Sequence, residues 1–330
     1  MKKLHRNDDD LFIYEREIRP YLSERIFDAH SHLLKTECHD DINNSSDPFF
    51  YNVEMDDLQH CWQVLFPDSR VNGLVMGMPV YNCDLDAENR FVAQSITDDN
   101  DRFSLMTQPQ MSLEYLENAI KTYKPAGLKP YYVHALVHDK QNAGITDFIT
   151  EEQLDTANKY GLCITLHVSK PRGMADADNL AEISRLVKEY PKCQFILAHC
   201  GRCFITPNLV DALDGLPVAE NLWMDTSAVC DVGVFLELFS RYDPSRILFG
   251  TDLVNAAAFR GSYVRLGMSW HTVTPRMISR KGGLQGRATF AVYENLSALF
   301  HAARHCHVSE DDIQNIFYEN AARLFKLNPK

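Results

Sequence analysis

Two rhythms of apolar and polar positions alternate along the chain. Short apolar runs, each stopping on a polar cluster, recur at Arg25–His30, Val71–Met78, Phe103–Pro109, Gly127–Tyr132, Leu162–Val168, Cys193–His199, Asn221–Thr226 and Arg246–Asp252. Runs of this length between polar punctuation predict buried strands. Between them, apolar residues three and four apart predict helices at Asp56–Phe66, Asp84–Asp98, Leu113–Tyr123, Thr150–Tyr160, Asp176–Tyr190, Pro207–Leu213 and Val232–Tyr242. A helix at Leu11–Leu22, capped by Asp10, leads the series, and helices at Gly286–His307 and Glu310–Phe325 follow it.

Eight strands spaced roughly 20–45 residues apart and separated by helices predict βαβ units and a parallel sheet. Eight such units close a barrel. An open doubly wound sheet would carry a glycine-rich turn after its first strand, whereas here Ser31-His32-Leu33-Leu34 follows. The expected fold is α/β, a (β/α)8 TIM barrel with an N-terminal helix and extra C-terminal helices. No Pro/Gly/Ser linker divides the sequence, so a single domain is expected over residues 1–330, with the barrel core at about 25–327. Two long segments, Leu33–Val53 and Leu253–Gln285, are expected as loops. The second carries Arg260, Arg265, Trp270, His271, Arg276 and Arg280.

Composition narrows the function. The chain has 330 residues, 33 Lys+Arg against 45 Asp+Glu, and a net charge of −12. That balance argues against nucleic acid and against anionic membrane surfaces as partners. The basic start is followed by Asp8-Asp9-Asp10 with no apolar stretch, so no secretory signal is read. No run approaches the ~20 apolar residues of a membrane span. Nine scattered cysteines suit reduced thiols in a cytoplasmic protein. The sequons at Asn43, Asn44 and Asn295 then read as chance.

Candidate chemistry lies at the strand ends. His30 and His32, two apart on the first strand, are expected to share one face at the barrel mouth. The fifth strand runs into His167, the sixth into His199 and the eighth into Asp252, while the fourth contributes Lys129. Several neutral imidazoles and one carboxylate on the catalytic face form a donor set suited to Zn²⁺, with Mn²⁺ or Fe²⁺ as alternatives.

The stretches Phe27-Asp28-Ala29-His30-Ser31-His32, Leu166-His167-Val168-Ser169, Leu197-Ala198-His199-Cys200-Gly201-Arg202, Met224-Asp225-Thr226-Ser227 and Phe249-Gly250-Thr251-Asp252, with the closing Ile316–Phe325, resemble the amidohydrolase superfamily. The likeness is to its amidohydrolase-related branch of metal-dependent hydrolases and decarboxylases, and it runs from about 26 to 327. The resemblance implies that His30, His32, His167 and Asp252 hold one divalent metal. His199 would be an acid/base residue or a ligand of a second metal, and Asp252 would also accept a proton from the attacking water. Two-metal relatives use a carboxylated lysine near the position of Lys129; an ammonium that binds a substrate carboxylate is the preferred reading. Arg172, Arg202 and Arg260 are further candidates for binding substrate carboxylates.

Three features are set aside. Cys200-Gly201-Arg202-Cys203 lacks a thioredoxin-like setting or a second zinc pair. His301 and His305 lack the glutamate of a zinc-protease helix. Gly282–Arg287 lacks the Gly-Lys-Ser/Thr of a phosphate loop. The expectation is therefore a metal-dependent hydrolase that directs an activated water at an amide, lactone or ester of a small carboxylated molecule. The partner is an anionic small molecule, and a homodimer is the default assembly. A decarboxylase of a small aromatic or unsaturated acid is the runner-up, and a non-catalytic ligand-binding barrel the third reading.

Overall fold

The eight apolar runs pair in the order of the sequence. The structure is a computed structural model that describes residues 4–39, 52–80, 82–254, 257–278 and 287–328. Strands β1 Arg25–Leu33, β2 Arg70–Gly77, β3 Arg102–Thr107, β4 Gly127–Pro130, β5 Cys163–Leu166, β6 Gln194–Leu197, β7 Leu222–Asp225 and β8 Ile247–Leu248 form one sheet, each parallel to the next. Only two residues of β8 belong to the ladder with β7. The chain beyond them leaves β7 and closes the circle against β1. Ala29 N–H donates to Phe249 C=O (2.9 Å), Asp252 N–H to His30 C=O (2.7 Å) and His32 N–H to Leu253 C=O (2.7 Å). The result is the expected (β/α)8 TIM barrel.

Helices α1 Asp8–Ile13, α2 Met55–Leu65, α3 Leu85–Ser95, α4 Leu113–Tyr123, α5 Glu151–Tyr160, α6 Ala177–Glu189, α7 Thr206–Gly215 and α8 Val232–Arg241 precede the barrel or separate its strands. They bury their apolar stripes against the outside of the sheet. Helix α1 starts earlier than expected. Asn7, not Asp10, is its cap, and Asp10 is the buried partner in a capping box with Asn7. After the barrel come α9 Ala291–His305 and a closing helix made of α10 Glu310–Gln314, a wider turn at Asn315–Glu319, and α11 Asn320–Phe325. Phe27, Ala29, Leu74, Met76, Cys163, Ile196, Trp223 and Leu248 form a second core inside the barrel, and Tyr318, Ala321 and Phe325 of the closing segment pack on it.

The expected loop after β8 contains a hairpin, β9 Ser262–Leu266 and β10 Ser269–Val273. Its tight turn uses Gly267 at φ 63°, a conformation that costs glycine nothing. The Arg276 side chain, Arg280, Gly282 and Gly286, like Asn43 and Asn44, lie outside the described residues. Asn295 is buried and donates to the carbonyls of Thr226 and Val229, so it is no glycosylation acceptor. His301 and His305 lie on an exposed helix face, and all nine cysteines are free. No helix among the described residues is long and apolar enough to cross a membrane.

Candidate metal centre

Strand β1 delivers the first two imidazoles through an irregularity. In a regular strand Asp28 and His30 would share a face. The register against β2 shifts between Asp28 and Ser31, and the two side chains part there. Asp28 meets the outer layer, accepting from Trp62 Nε1 of α2 (2.9 Å) and from Thr251 Oγ1 (2.5 Å) and N–H (2.8 Å). His30 instead reaches Asp225 of β7, Lys129 of β4 and His32.

Three histidines are anchored in the same way. His30 Nδ1 donates to Asp225 Oδ2 (2.5 Å), His32 Nδ1 to Gly77 C=O (2.9 Å) and His199 Nδ1 to Ser227 C=O (3.0 Å). Each bond fixes the proton on Nδ1 and leaves Nε2 as a lone pair. Those lone pairs turn toward Asp252. The Nε2 atoms of His30 and His32 are 3.2 Å apart, and Asp252 Oδ1 stands 3.5 and 3.3 Å from them. His199 Nε2 lies 3.9 Å from Asp252 Oδ2. His30, His199 and Asp252 place one ligand atom each within 4.8 Å of one another, a group that could hold a metal ion. Three anchored imidazoles whose lone pairs face one carboxylate fit a borderline divalent cation.

Backbone conformation places two of these groups. Asp252 has φ 61°, and His199, Cys200, Gly201 and Arg202 form a left-handed turn with φ between 50° and 67°. Such strain in non-glycine residues persists where surrounding structure enforces it. At Gly201 a Cβ would come within 2.6 Å of Met174. Gly250, just before Asp252, lies against the anchor of His30: a Cβ there would stand 2.5 Å from Asp225 Oδ1 and 3.1 Å from His30 Cβ.

Burial sets the charges. It lowers His30 to about 4, helped by the Lys129 charge and opposed by Asp225 and Asp252. Burial also lowers His199, and it holds His167 well below the usual imidazole range. Neutral imidazoles are the ligand form. For Asp252 burial acts upward, but His30, His32 and His199 outweigh it and keep the carboxyl well below its usual range. Lys129 is wholly buried with Nζ 3.1 Å from His30 Nε2; burial brings it down to about 8, against the pull of Asp252 and Asp225.

The sequence-expected residues thus fall into three groups. His30, His32, His199, Asp252 and Lys129 converge. His199 stands in the candidate group with His30 and Asp252, and His167, expected as a ligand, lies next to it. His167 stands beside His199 (ring centroids 5.1 Å), its Nε2 near Tyr131 Oη (3.4 Å) and its buried Nδ1 without a partner among the described residues. Arg202 is at the rim, bonded to Val168 C=O (3.0 Å) and stacked over Tyr132. Arg172 and Arg260 are engaged elsewhere. Arg172 pairs with Asp211 at the surface. Arg260 pairs with buried Asp10 and the His5 carbonyl, tying the hairpin segment to α1. Cys200 and Cys203 are buried, and burial pushes the Cys203 thiol up to about 12, as suits inert thiols.

Sequence reasoning passed over Asp225 as a candidate site residue. Its signal was the one used elsewhere, a buried apolar run ending on a metal-capable or acidic side chain. The sequence offers Tyr131-Tyr132 as pocket lining with core packing as the default, and Phe204 was passed over; the structure joins them in an aromatic wall. Phe204 stacks on His199 (5.4 Å) and meets Trp270 of the hairpin (4.3 Å), while Tyr131 packs on Tyr132 (4.8 Å) and His167 (4.5 Å).

Solved structures with this architecture cover nearly the whole chain at low identity. An amidohydrolase 2 from Bifidobacterium longum subsp. infantis superposes with a TM-score of 0.57 at 15% identity, over 93% of this chain and 100% of its own. The 5-carboxyvanillate decarboxylase of Sphingomonas paucimobilis gives 0.52 at 13%, over 93% and 100%. A dihydroxybenzoic acid decarboxylase from a Polaromonas species, solved with manganese and 2-nitroresorcinol, gives 0.54 at 14%, over 93% and 98%. At these identities the likeness establishes the fold. No curated protein sequence matches the chain. The sequence pattern of the amidohydrolase family (amidohydrolase-2) matches residues 28–327, from the carboxylate beside His30 to the end of the closing helix, and the chain belongs to that family.

Proposed function

We propose that this protein is a divalent-metal-dependent hydrolase acting on an amide, lactone or ester of a small carboxylated molecule. One observation carries the reading: three Nδ1-anchored imidazoles present their Nε2 lone pairs to Asp252. His30, His32, His199 and Asp252 would hold the ion, with His167 next to them, and zinc is the cation this donor set favours, with Mn²⁺ and Fe²⁺ as alternatives. A divalent ion bound there supplies Lewis acidity and can bring the pKa of a water to about 7.

The chain's own groups supply the rest. Asp252 is 17% exposed, while the His30, His32 and His199 side chains are 5% or less. It is therefore the member of the set best reached by substrate and solvent, and it takes a proton during attack. His199, fixed by Ser227, presents its Nε2 lone pair from the side of the opposite carboxylate oxygen and would complete the ligand set. Lys129 beside His30 and Arg202 near His167 are the cations that would draw a substrate carboxylate.

A second reading, decarboxylation of a small aromatic acid, has its own support. The Phe204–Trp270 and Tyr131–Tyr132 pairs offer flat faces beside His199 and His167. Two of the solved structures that share the fold are named as decarboxylases of such acids.

The test is metal content with activity on a panel of esters, lactones, amides and aromatic acids, scoring CO₂ release separately. A hydrolase yields products with no CO₂ and loses turnover in His30→Ala and Asp252→Asn while the barrel still folds. CO₂ release moves the assignment to the lyase. Metal below about a tenth of an equivalent, with no response to added Zn²⁺, Mn²⁺ or Fe²⁺, removes the metal-dependent reading and favours a non-catalytic barrel.

A further inference from the structure

The candidate centre is nearly covered on its His199 side. The His199 ring is buried, and Phe204, which stacks on it, is nearly buried in turn. What lies on Phe204 is the β9–β10 hairpin: Trp270 meets its ring at 4.3 Å and Tyr263 at 5.8 Å. Loading a substrate beside His199 therefore requires part of this cover to move.

The hairpin has the construction of a part that moves. Its cross-strand pairs Tyr263–Thr272 and Arg265–Trp270 lie on one face. From that face Tyr263 and Trp270 turn their rings to Phe204, and Tyr263 also meets Phe259 (5.7 Å). Arg265, Leu266, Met268, His271 and Thr272 are exposed. A two-stranded hairpin alone is marginally stable, so its place depends on these ring contacts and on its base. The base is fixed: Arg260 forms an antiparallel bridge with Phe290, Gly261 N–H donates to Thr289 C=O (3.0 Å), and Ala291 N–H donates to Phe259 C=O (2.9 Å). Gly261 has φ 144°, and a Cβ there would stand 2.1 Å from Val273 C=O. Glycine alone lets the two strands leave the barrel side by side at this point. A fixed base, a glycine pivot and an inner face of two rings are the parts of a hinged flap.

We propose, on the reading of Asp252 as the substrate-facing group, that the β9–β10 hairpin is a lid on the candidate metal centre. It pivots at Gly261, and Trp270 is the latch that seats on Phe204. Open, it admits a small carboxylated substrate to Asp252. Closed, it keeps water from the His199 side and holds Phe204 against that ring. Trp270 acts through Phe204 and is a positioning residue.

Cys230 offers a lock. Its thiol lies against the Ser262 hydroxyl and the Tyr263 backbone, so Ser262→Cys can be oxidised with diamide to a disulfide that pins the first residue beyond the pivot to the loop after β7. Peptide mass confirms the cross-link, and wild type treated alike is the control. Acrylamide quenching of tryptophan fluorescence in the full chain reads the lid directly, because Trp62 and Trp223 are 3% exposed or less while Trp270 is half-buried. Oxidation should lower the quenching of Trp270 about threefold, and dithiothreitol should restore it. Extraction of bound zinc by dipicolinate reads access to the centre. The lock should slow it about tenfold, and Trp270→Ala should quicken it about tenfold while equilibrium zinc affinity stays within about twofold. Quenching and extraction unchanged by the lock overturn the lid and leave the hairpin a fixed wall. A chain that binds no zinc, yet whose quenching follows the lock, keeps the lid and removes the metal-dependent reading. Should Ser262→Cys fail to fold, Trp270→Ala still decides: zinc extraction at the wild-type rate overturns the latch.

Discussion

Asp225→Asn tests whether the proton on His30 is placed by its partner. In the native protein Asp225 accepts on both oxygens, from His30 Nδ1 at 2.5 Å and from Ser227 N–H at 2.7 Å. Asparagine keeps one acceptor. If its oxygen serves Ser227, its NH₂ faces His30 Nδ1, and two donors oppose each other. The imidazole relieves this by moving its proton to Nε2, which then points at Asp252, His32 and Lys129 as a donor where a ligand needs a lone pair. Loss of such an outer partner typically costs 10–100-fold in metal affinity, or about 1.4–2.8 kcal/mol. Zinc competition against a chromogenic chelator measures it. Asp225→Ala serves as control, because it removes the acceptor but leaves the tautomer free. Asp225→Asn should therefore bind zinc more weakly than Asp225→Ala. Equal affinities would mean that Asp225 contributes only charge, and affinity within twofold of wild type for both variants would refute the anchoring role altogether.

Gly250→Ala should mimic that loss without touching a polar group, since its Cβ would press on Asp225 Oδ1 and His30 Cβ; the same chelator titration should show weaker zinc binding, and unchanged affinity would contradict the packing. Arg260→Ala should cost roughly 2 kcal/mol in urea unfolding because it strands buried Asp10, the arginine being partly exposed, while KM stays unchanged; a raised KM with full stability would return Arg260 to the substrate. Metal-free protein should lose stability as the pH falls from about 6.5 to 4. His30 and His134 sit near 4 when folded against about 6.5 unfolded, so the unfolded chain binds more protons in that window. Each contributes up to about 3 kcal/mol that is present above pH 6.5 and lost toward pH 4; His167 and His199 act in the same sense. Asp28, raised by burial to about 7, opposes them by gaining stability as the pH falls, so a urea midpoint higher at pH 5 than at pH 7 would show that it prevails.

The barrel was legible because its strands are buried on both faces and read as unbroken apolar runs that stop on polar residues. His30, His199 and Asp252 were legible for the same reason: each is the residue on which a run stops, while Lys129 stood out as the charged residue inside one. What escaped depends on pairing between distant segments. The approach of His199 to Asp252 rests on a left-handed turn at 199–202, which no periodicity announces. Arg260 looked like a free cation because its partner, Asp10, lies 250 positions away. The parity break between Asp28 and His30 is a register shift against β2, and a period-two reading cannot contain it.

The seam between β1 and β8 has a consequence for how the protein holds together. The bonds that shut the ring are made by the backbones of His30, His32 and Asp252, which also carry the candidate ligands. Ring closure and site assembly are therefore one event, joining segments about 220 residues apart in sequence. A cation that binds only the closed ring adds its binding free energy to the latch. The amide hydrogens of His32 and Asp252 should then exchange slowly in the loaded protein and faster after chelation, reporting the integrity of the whole barrel from inside its active centre.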